Sequence, residues 1–155
     1  MAVDPEFKKW LSHEAKELDR VHVDGAEKKR QIRAVVSKMT SQQSRHLLQT
    51  VTNTRAPAAE KILSTYLLVE GGSRTLKELT ELIAAPLSEN PDFKPHSEDE
   101  MKGIREKSLR IMAIDGLFSQ AQREPSAREA LVRAARETQD PRIRAYAEDK
   151  LRSLH

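Results

Sequence analysis

Two stretches near the C-terminal end match each other at an offset of 34 residues, and this repeat constrains the fold more than any other feature. Residues 108–117 align with residues 142–151. A period of this length is typical of arrays built from pairs of helices, because one pair cannot cover its own apolar surface. The repeat therefore predicts stacked helical pairs, an architecture that more often binds than catalyses. The matched positions are Arg110 and Arg144, Ala113 and Ala147, Asp115 and Asp149, and Leu117 and Leu151.

Apolar residues recur at helical spacing in eight segments, and the alternation typical of strands is almost absent. An all-α fold is therefore predicted. Turn and capping residues help to delimit the segments: Gly71–Gly72 ends the fourth, capping boxes begin at Ser97 and Ser126, and Asp140 precedes a proline at the start of the last. On the fourth helix the spacing predicts a buried stripe of Ala59, Ile62, Leu63, Tyr66 and Leu67. The first six predicted helices cover about residues 5–21, 26–39, 41–52, 56–69, 74–85 and 98–121.

The length of 155 residues suits one domain, so we predict a single helical-repeat domain over residues 1–155. Residues 88–97 are predicted to form an acidic loop between repeats. Residues 1–7 resemble vector-derived sequence, in which case a native signal peptide or an upstream domain could have been removed; a cytoplasmic location is otherwise favoured. No apolar run approaches the roughly 20 residues that a membrane helix needs.

The segment from Asp140 to Leu151 is similar to the first helix of a HEAT repeat: it begins with Asp-Pro and continues with an apolar residue, arginine, alanine and leucine. The resemblance implies a right-handed α-solenoid of about eight helices with a concave binding face. It also implies that Arg110 and Arg144 brace the array through neighbouring acids, for which Asp115 and Asp149 are candidates. A weaker copy near Pro57 leaves a gap of about 50 residues, so a compact helical bundle remains the alternative fold.

Few residues suggest catalysis or metal binding. The chain has no cysteine, which excludes disulfides and thiolate zinc sites. The run from His13 to Glu17 lacks the second histidine of a zinc-protease helix. No phosphate-binding glycine loop, nucleophile motif or catalytic carboxylate pair is visible, so we predict a non-enzymatic protein without cofactor or metal.

The predicted function is protein or peptide binding, as a scaffold or adaptor. The third, fifth and seventh helices would line the concave face as the second members of their pairs. Phe93 is added because it lies between two prolines of the acidic loop and could anchor a partner or fold back over the stack. The candidate residues are Gln42, Arg45, His46, Gln49, Arg74, Lys77, Glu81, Phe93, Arg133 and Arg136.

Nucleic-acid binding is the alternative, because the isoelectric point is about 9.2 and arginines crowd the C-terminal part. Acids interleave with these arginines, and Glu129 lies one turn before Arg133 as a predicted partner, which favours a self-paired surface. A third alternative, a HEAT-like DNA-repair enzyme, needs aromatic and acidic residues in one cleft, and none can be assigned. No feature predicts the partner's identity or the oligomeric state.

Overall fold

The computed structural model describes residues 4–17, 25–87 and 97–154. Within these ranges the chain forms eight α-helices and one short 3-10 helix at Gly72–Thr75, and no strand. The predicted all-α class is confirmed. The α-helices are α1 (Pro5–Glu17), α2 (Gly25–Ser37), α3 (Ser41–Thr52), α4 (Ala58–Glu70), α5 (Leu76–Ala84), α6 (Glu98–Ala121), α7 (Pro125–Glu137) and α8 (Pro141–Arg152).

Helix ends follow the capping residues in most places. Asp140 caps α8 by accepting the backbone N–H groups of two first-turn residues, at 2.8 and 3.1 Å, as predicted. Ser97 caps α6 by accepting an N–H three residues on, at 3.4 Å. The capping box predicted at Ser126 is wrong, because α7 begins at Pro125 after the N-cap Glu124. A proline at the first helical position has its φ already fixed and needs no amide partner.

The chain divides into two compact units, residues 1–78 and 79–155. In the first unit α4 packs against α1, α2 and α3, with its most extensive contact on α3. Leu63, Leu67 and Leu68 of α4 are fully buried, as are Leu11 of α1 and Leu47 of α3. Burial of this much apolar surface around one helix is the main source of the unit's stability.

The predicted stripe on α4 is partly wrong. Leu63 and Leu67 are buried as expected, but Ile62 is 42% exposed, and Ala59 and Tyr66 are only half-buried. Three helices contact α4 from different sides, so its buried residues do not follow one stripe. Lys61, Ser64 and Thr65 are buried in addition to the apolar residues.

In the second unit α6, α7 and α8 each contact the other two. Leu117 of α6, Leu131 of α7 and Ile143 of α8 are buried. Ala113 and Ala147, which the sequence repeat aligns, are both fully buried. Small side chains at equivalent positions allow the neighbouring helices to approach closely.

Arg110, the first of the two repeated arginines, holds the end of the preceding helix. Its side chain is 3% exposed. Its guanidinium donates to the carbonyls of Ala85 at 3.2 Å and Pro86 at 3.0 Å, just beyond α5, and to that of Glu106 in its own helix at 3.0 Å. Carbonyls at a helix C-terminus lack intrahelical partners, and an arginine fork can satisfy more than one of them.

Arg144 does the same for α7. Its guanidinium donates to the carbonyls of Ala135 at 3.1 Å and Thr138 at 2.5 Å. The acids predicted as partners are wrong: Asp115 accepts a hydrogen bond from Tyr146, and Asp149 pairs with an arginine one turn later in α8. At both repeat positions, the arginine therefore binds backbone carbonyls at the end of the preceding helix rather than an acidic side chain.

Candidate partner-binding cleft

A cleft of about 500 Å³ opens in the first unit, between α1, α3, the loop after α3, and the start of α4. Leu11, Ala56 and Pro57 supply its apolar surface. Charged and amide side chains from the same elements supply the rest, so the cleft combines a small apolar surface with polar groups. Clefts of this size and mixed character are the usual places where proteins bind small groups or side chains.

A capping box at Thr40 starts α3 and positions its residues. The Thr40 hydroxyl accepts the N–H of Gln43 at 3.1 Å, and the Gln43 side-chain oxygen accepts the N–H of Thr40 at 3.0 Å. With the first turn fixed, Leu47 and Val51 point into the core, whereas His46 and Gln49 line the cleft. Gln49 is exposed and His46 is half-buried.

The loop after α3 is held by its own side chain. The Asn53 side-chain oxygen accepts the backbone N–H of Arg55 at 3.0 Å, and the Asn53 carbonyl accepts that of Ala56 at 3.2 Å. Pro57, the N-cap residue of α4, then leads into the next helix. This short turn places the exposed Arg55 among the residues that line the cleft.

Two cations and one acid line the cleft. Glu60 accepts a hydrogen bond from the Ser12 hydroxyl at 2.6 Å, which fixes its carboxylate between α1 and α4. Lys8 and Arg55 are exposed, and neither forms an ion pair within residues 4–17, 25–87 and 97–154. The cleft therefore has a net positive charge, with its one acid already engaged by a hydroxyl.

His46 lies against an aromatic pair on α1. The Phe7 ring meets the imidazole edge-on at 6.1 Å between centroids, and the Trp10 ring stacks on Phe7 at 5.9 Å. Burial lowers the pKa of His46 below its ordinary value; the charge of Lys8 lowers it further, and Glu60 opposes both. His46 is therefore neutral at pH 7 and contributes no charge to the cleft.

Six of the ten predicted binding residues, among them Lys77, lie in the first unit. Gln42 and Arg45 lie on α3 at helical spacing with the cleft residues His46 and Gln49, so the four share one side of the helix. Arg74 instead donates to the carbonyls of Val36 at 3.3 Å and Ser37 at 2.8 Å, where it holds the end of α2.

Lys77, Glu81, Arg133 and Arg136 are not among the residues that line this cleft. Lys77 is exposed on α5. Glu81 lies on the same helix, and its charge adds to the effect of Glu137 in raising the pKa of Arg133. Arg133 donates to Glu137 at 2.8 Å, so its predicted pairing with Glu129 is wrong: the fork points one turn forward along α7. Arg136 is exposed. Phe93 lies outside the described residues, so the single face predicted across three helices stays a prediction.

The sequence patterns missed Lys8, Ser12, Arg55 and Glu60, which come from three different elements. Neither helical periodicity nor the repeat relates α1 to the loop after α3. The available signal was Arg55 itself, a cation in a short ordered loop, since loops supported by rigid helices often carry binding residues.

No protein-family model, curated protein or solved structure matches the chain. Across residues 4–17, 25–87 and 97–154, no three histidines, aspartates or glutamates lie close enough together to hold a metal ion. None of the described helices is long and apolar enough to cross a membrane. The HEAT-like resemblance therefore stays a prediction.

Proposed function

We propose that the chain is a non-enzymatic protein-binding module, and that the cleft between α1, α3 and α4 receives a short segment of a protein partner. The helical pairs would belong to a HEAT-like stack, in which α3 presents the predicted binding residues. Support for the stack comes from the repeated arginines, since Arg110 and Arg144 each hold the end of the helix before their own.

The single observation that carries this proposal is the cleft itself. His46 and Gln49, two residues predicted to bind a partner, line a preformed concavity together with charged side chains. Its polar walls are already ordered, because the Thr40 capping box, the Asn53 turn and the Ser12 hydrogen bond to Glu60 fix them. A rigid cleft loses little conformational entropy on binding, which favours specific recognition.

Nucleic-acid binding has less support from the C-terminal arginines. Arg110 and Arg144 donate to backbone carbonyls, and Arg133 and Arg152 pair with acids in their own helices. Guanidinium groups that are already engaged give a weaker and less continuous attraction for phosphate than free ones would. The alternative is retained as an outcome of the experiment below.

The experiment is a selection from a peptide display library, followed by affinity measurement on two matched variants. Gln49→Trp fills the cleft from an exposed position on α3, and Gln31→Trp adds the same bulk at an exposed position on α2. We expect selected peptides to bind roughly tenfold or more weakly to Gln49→Trp, because the indole occupies their site, and unchanged to Gln31→Trp.

Two results would contradict the proposal. Selected peptides that bind Gln49→Trp as tightly as the parent protein would place recognition elsewhere. Tight binding of labelled oligonucleotides, weakening steeply as salt rises, without any peptide binding would favour the nucleic-acid alternative.

A further inference from the structure

The cleft is lined by two cationic side chains and two side-chain amides, beside one carboxylate. Lys8 and Arg55 carry positive charges and act solely as donors. The Asn53 side-chain oxygen is used by the backbone N–H of Arg55, so its amide NH₂ is the end left for a ligand. Gln49 adds a second amide from α3. A ligand that suits such a set is an acceptor with negative charge.

The one acid in the cleft does not cancel its positive charge, because Glu60 supplies one negative charge against the two positive charges of Lys8 and Arg55. The Glu60 carboxylate accepts the Ser12 hydroxyl at 2.6 Å, which ties it to the α1 side. Lys8 and Arg55 have no acidic partner among the described residues, and they come from separate elements that face the same space. An anion between them would gain two charge-assisted contacts without displacing an existing ion pair.

We infer that this cleft recognises a carboxylate side chain of a protein partner, held between Lys8 and Arg55. The inference rests on the proposed function and names the chemistry of its ligand. Leu11, Ala56 and Pro57 would contact the aliphatic part of that acidic residue or its neighbours.

A peptide carboxylate fits the cleft better than a nucleic-acid phosphate does. Binding of single strands depends on bases stacked on exposed aromatic rings. The imidazole of His46 is the one aromatic ring among the residues that line the cleft, and it is half-buried against Phe7. A volume of about 500 Å³ holds a few side chains rather than a length of polymer.

His46 couples this recognition to pH. The charged groups around it are Lys8 from α1 and Glu60 from α4, with Arg55 lining the same cleft from the loop. A carboxylate bound there stabilises the imidazolium form and so raises the lowered pKa of His46. Binding then takes up a proton, so affinity rises as the pH is lowered through the titration of His46, while the ligand carboxylate stays ionised.

The direct test uses two small probes that differ only in charge: N-acetylglutamate methylamide and its glutamine analogue. Each is titrated into the full chain at equal concentrations, with the backbone amide of Arg55 and the imidazole of His46 followed by NMR. We expect saturable shifts with the glutamate probe and little response to the glutamine probe. Equal responses to the two probes would overturn the inference.

Matched charge variants make the test specific for the cleft. Lys8→Met with Arg55→Met removes both cations of the cleft, whereas Lys9→Met with Arg128→Met removes two exposed cations outside it. We expect roughly tenfold weaker binding of the glutamate probe, and of any selected acidic peptide, to the first pair and less than twofold loss for the second. Retained affinity in the first pair would also overturn the inference.

Failure of this inference can be told apart from failure of the proposed function. Neutral peptides that bind the parent protein but not Gln49→Trp would show that the cleft binds proteins and that its ligand needs no carboxylate. Inorganic phosphate that competes more strongly than the glutamate probe would show that the two cations prefer a phosphate group, and would overturn the assignment.

Discussion

Replacing each repeated arginine by methionine tests the most specific structural feature of the chain. Arg110 and Arg144 occupy equivalent repeat positions and bind carbonyls in the same way, but Arg110 is 3% exposed whereas Arg144 is an exposed residue. Methionine keeps an unbranched apolar stem like that of arginine and removes the guanidinium donors. The two substitutions therefore differ mainly in whether water can reach the carbonyls that lose their guanidinium donor.

The magnitude for Arg110→Met follows from its hydrogen bonds. The bond to Glu106 lies within α6, where that carbonyl also serves the helix, so the bonds to Ala85 and Pro86 count most. Hydrogen bonds from a charged donor contribute roughly 1.5–3 kcal/mol each, or about 3–6 kcal/mol for two. Burial disfavours the charge and lowers the pKa of Arg110, against the opposing charges of Glu106 and Asp140. Relief of that burial returns on the order of 1–2 kcal/mol, which leaves a loss of about 1–5 kcal/mol.

Arg144→Met is expected to cost only about 0.5–1 kcal/mol, because water can replace its guanidinium at both carbonyls. Arg110→Lys serves as a third variant that keeps the charge and removes the planar fork, and its loss should lie between the other two. All three changes fall within residues 79–155, so they report on the same compact unit.

Urea denaturation followed by circular dichroism at 222 nm measures the free energy of unfolding. Since the chain has two compact units, the curves need fitting with two transitions where two are seen. Equal losses for Arg110→Met and Arg144→Met would refute the reasoning from burial. A loss below about 0.5 kcal/mol for Arg110→Met would mean that the two carbonyls are satisfied without the arginine.

Two further predictions concern Gly71 and Tyr146. A Cβ at Gly71 would overlap the buried Thr75 side chain, so Gly71→Ala should lower the free energy of unfolding by about 1–3 kcal/mol. A Cβ at Gly103 would meet open space, so Gly103→Ala should raise the free energy of unfolding by roughly 0.5–1 kcal/mol in the same urea assay. Opposite signs are required, and destabilisation by both changes would contradict this reading. The Asp115 carboxylate accepts the Tyr146 hydroxyl at 2.6 Å and raises the pKa of Tyr146 to about 12, so the phenol stays protonated to higher pH in the folded chain than in the unfolded chain. The stabilisation is therefore lost between pH 10 and about 12. In an ultraviolet absorbance titration Asp115→Asn should return that pKa towards 10, and an unchanged titration would exclude the carboxylate as the cause.

The helices were predictable where local signals decide them. The limits of α3 and α6 coincide with the predicted ones, because apolar spacing and a capping residue agree at their starts. The exposed Ile62 was not predictable, because it depends on which sides of α4 three other helices cover. The 3-10 helix at Gly72–Thr75 was missed too, since a single turn leaves no periodic pattern.

The candidate site was predictable only on α3. His46 and Gln49 share a helical face, so spacing alone grouped them. Lys8 and Arg55 are distant in sequence, and they line the same cleft because α1 and α3 both pack on α4. No single-sequence pattern encodes that juxtaposition, and the charge balance of the cleft depends on it.

If the proposed function holds, the chain separates residues for stability from residues for recognition. Arg110 and Arg144 stand out in the sequence because they repeat, and they repeat because each helical pair ends in carbonyls that need a donor. Lys8 and Arg55 belong to no repeat and are exposed, so replacing them should change the free energy of unfolding by less than about 0.5 kcal/mol. Substitution of the repeated arginines should therefore lower stability and spare affinity, and substitution of Lys8 and Arg55 should do the reverse. Loss of both properties together in either set would mean that the cleft and the helix-end contacts are not independent.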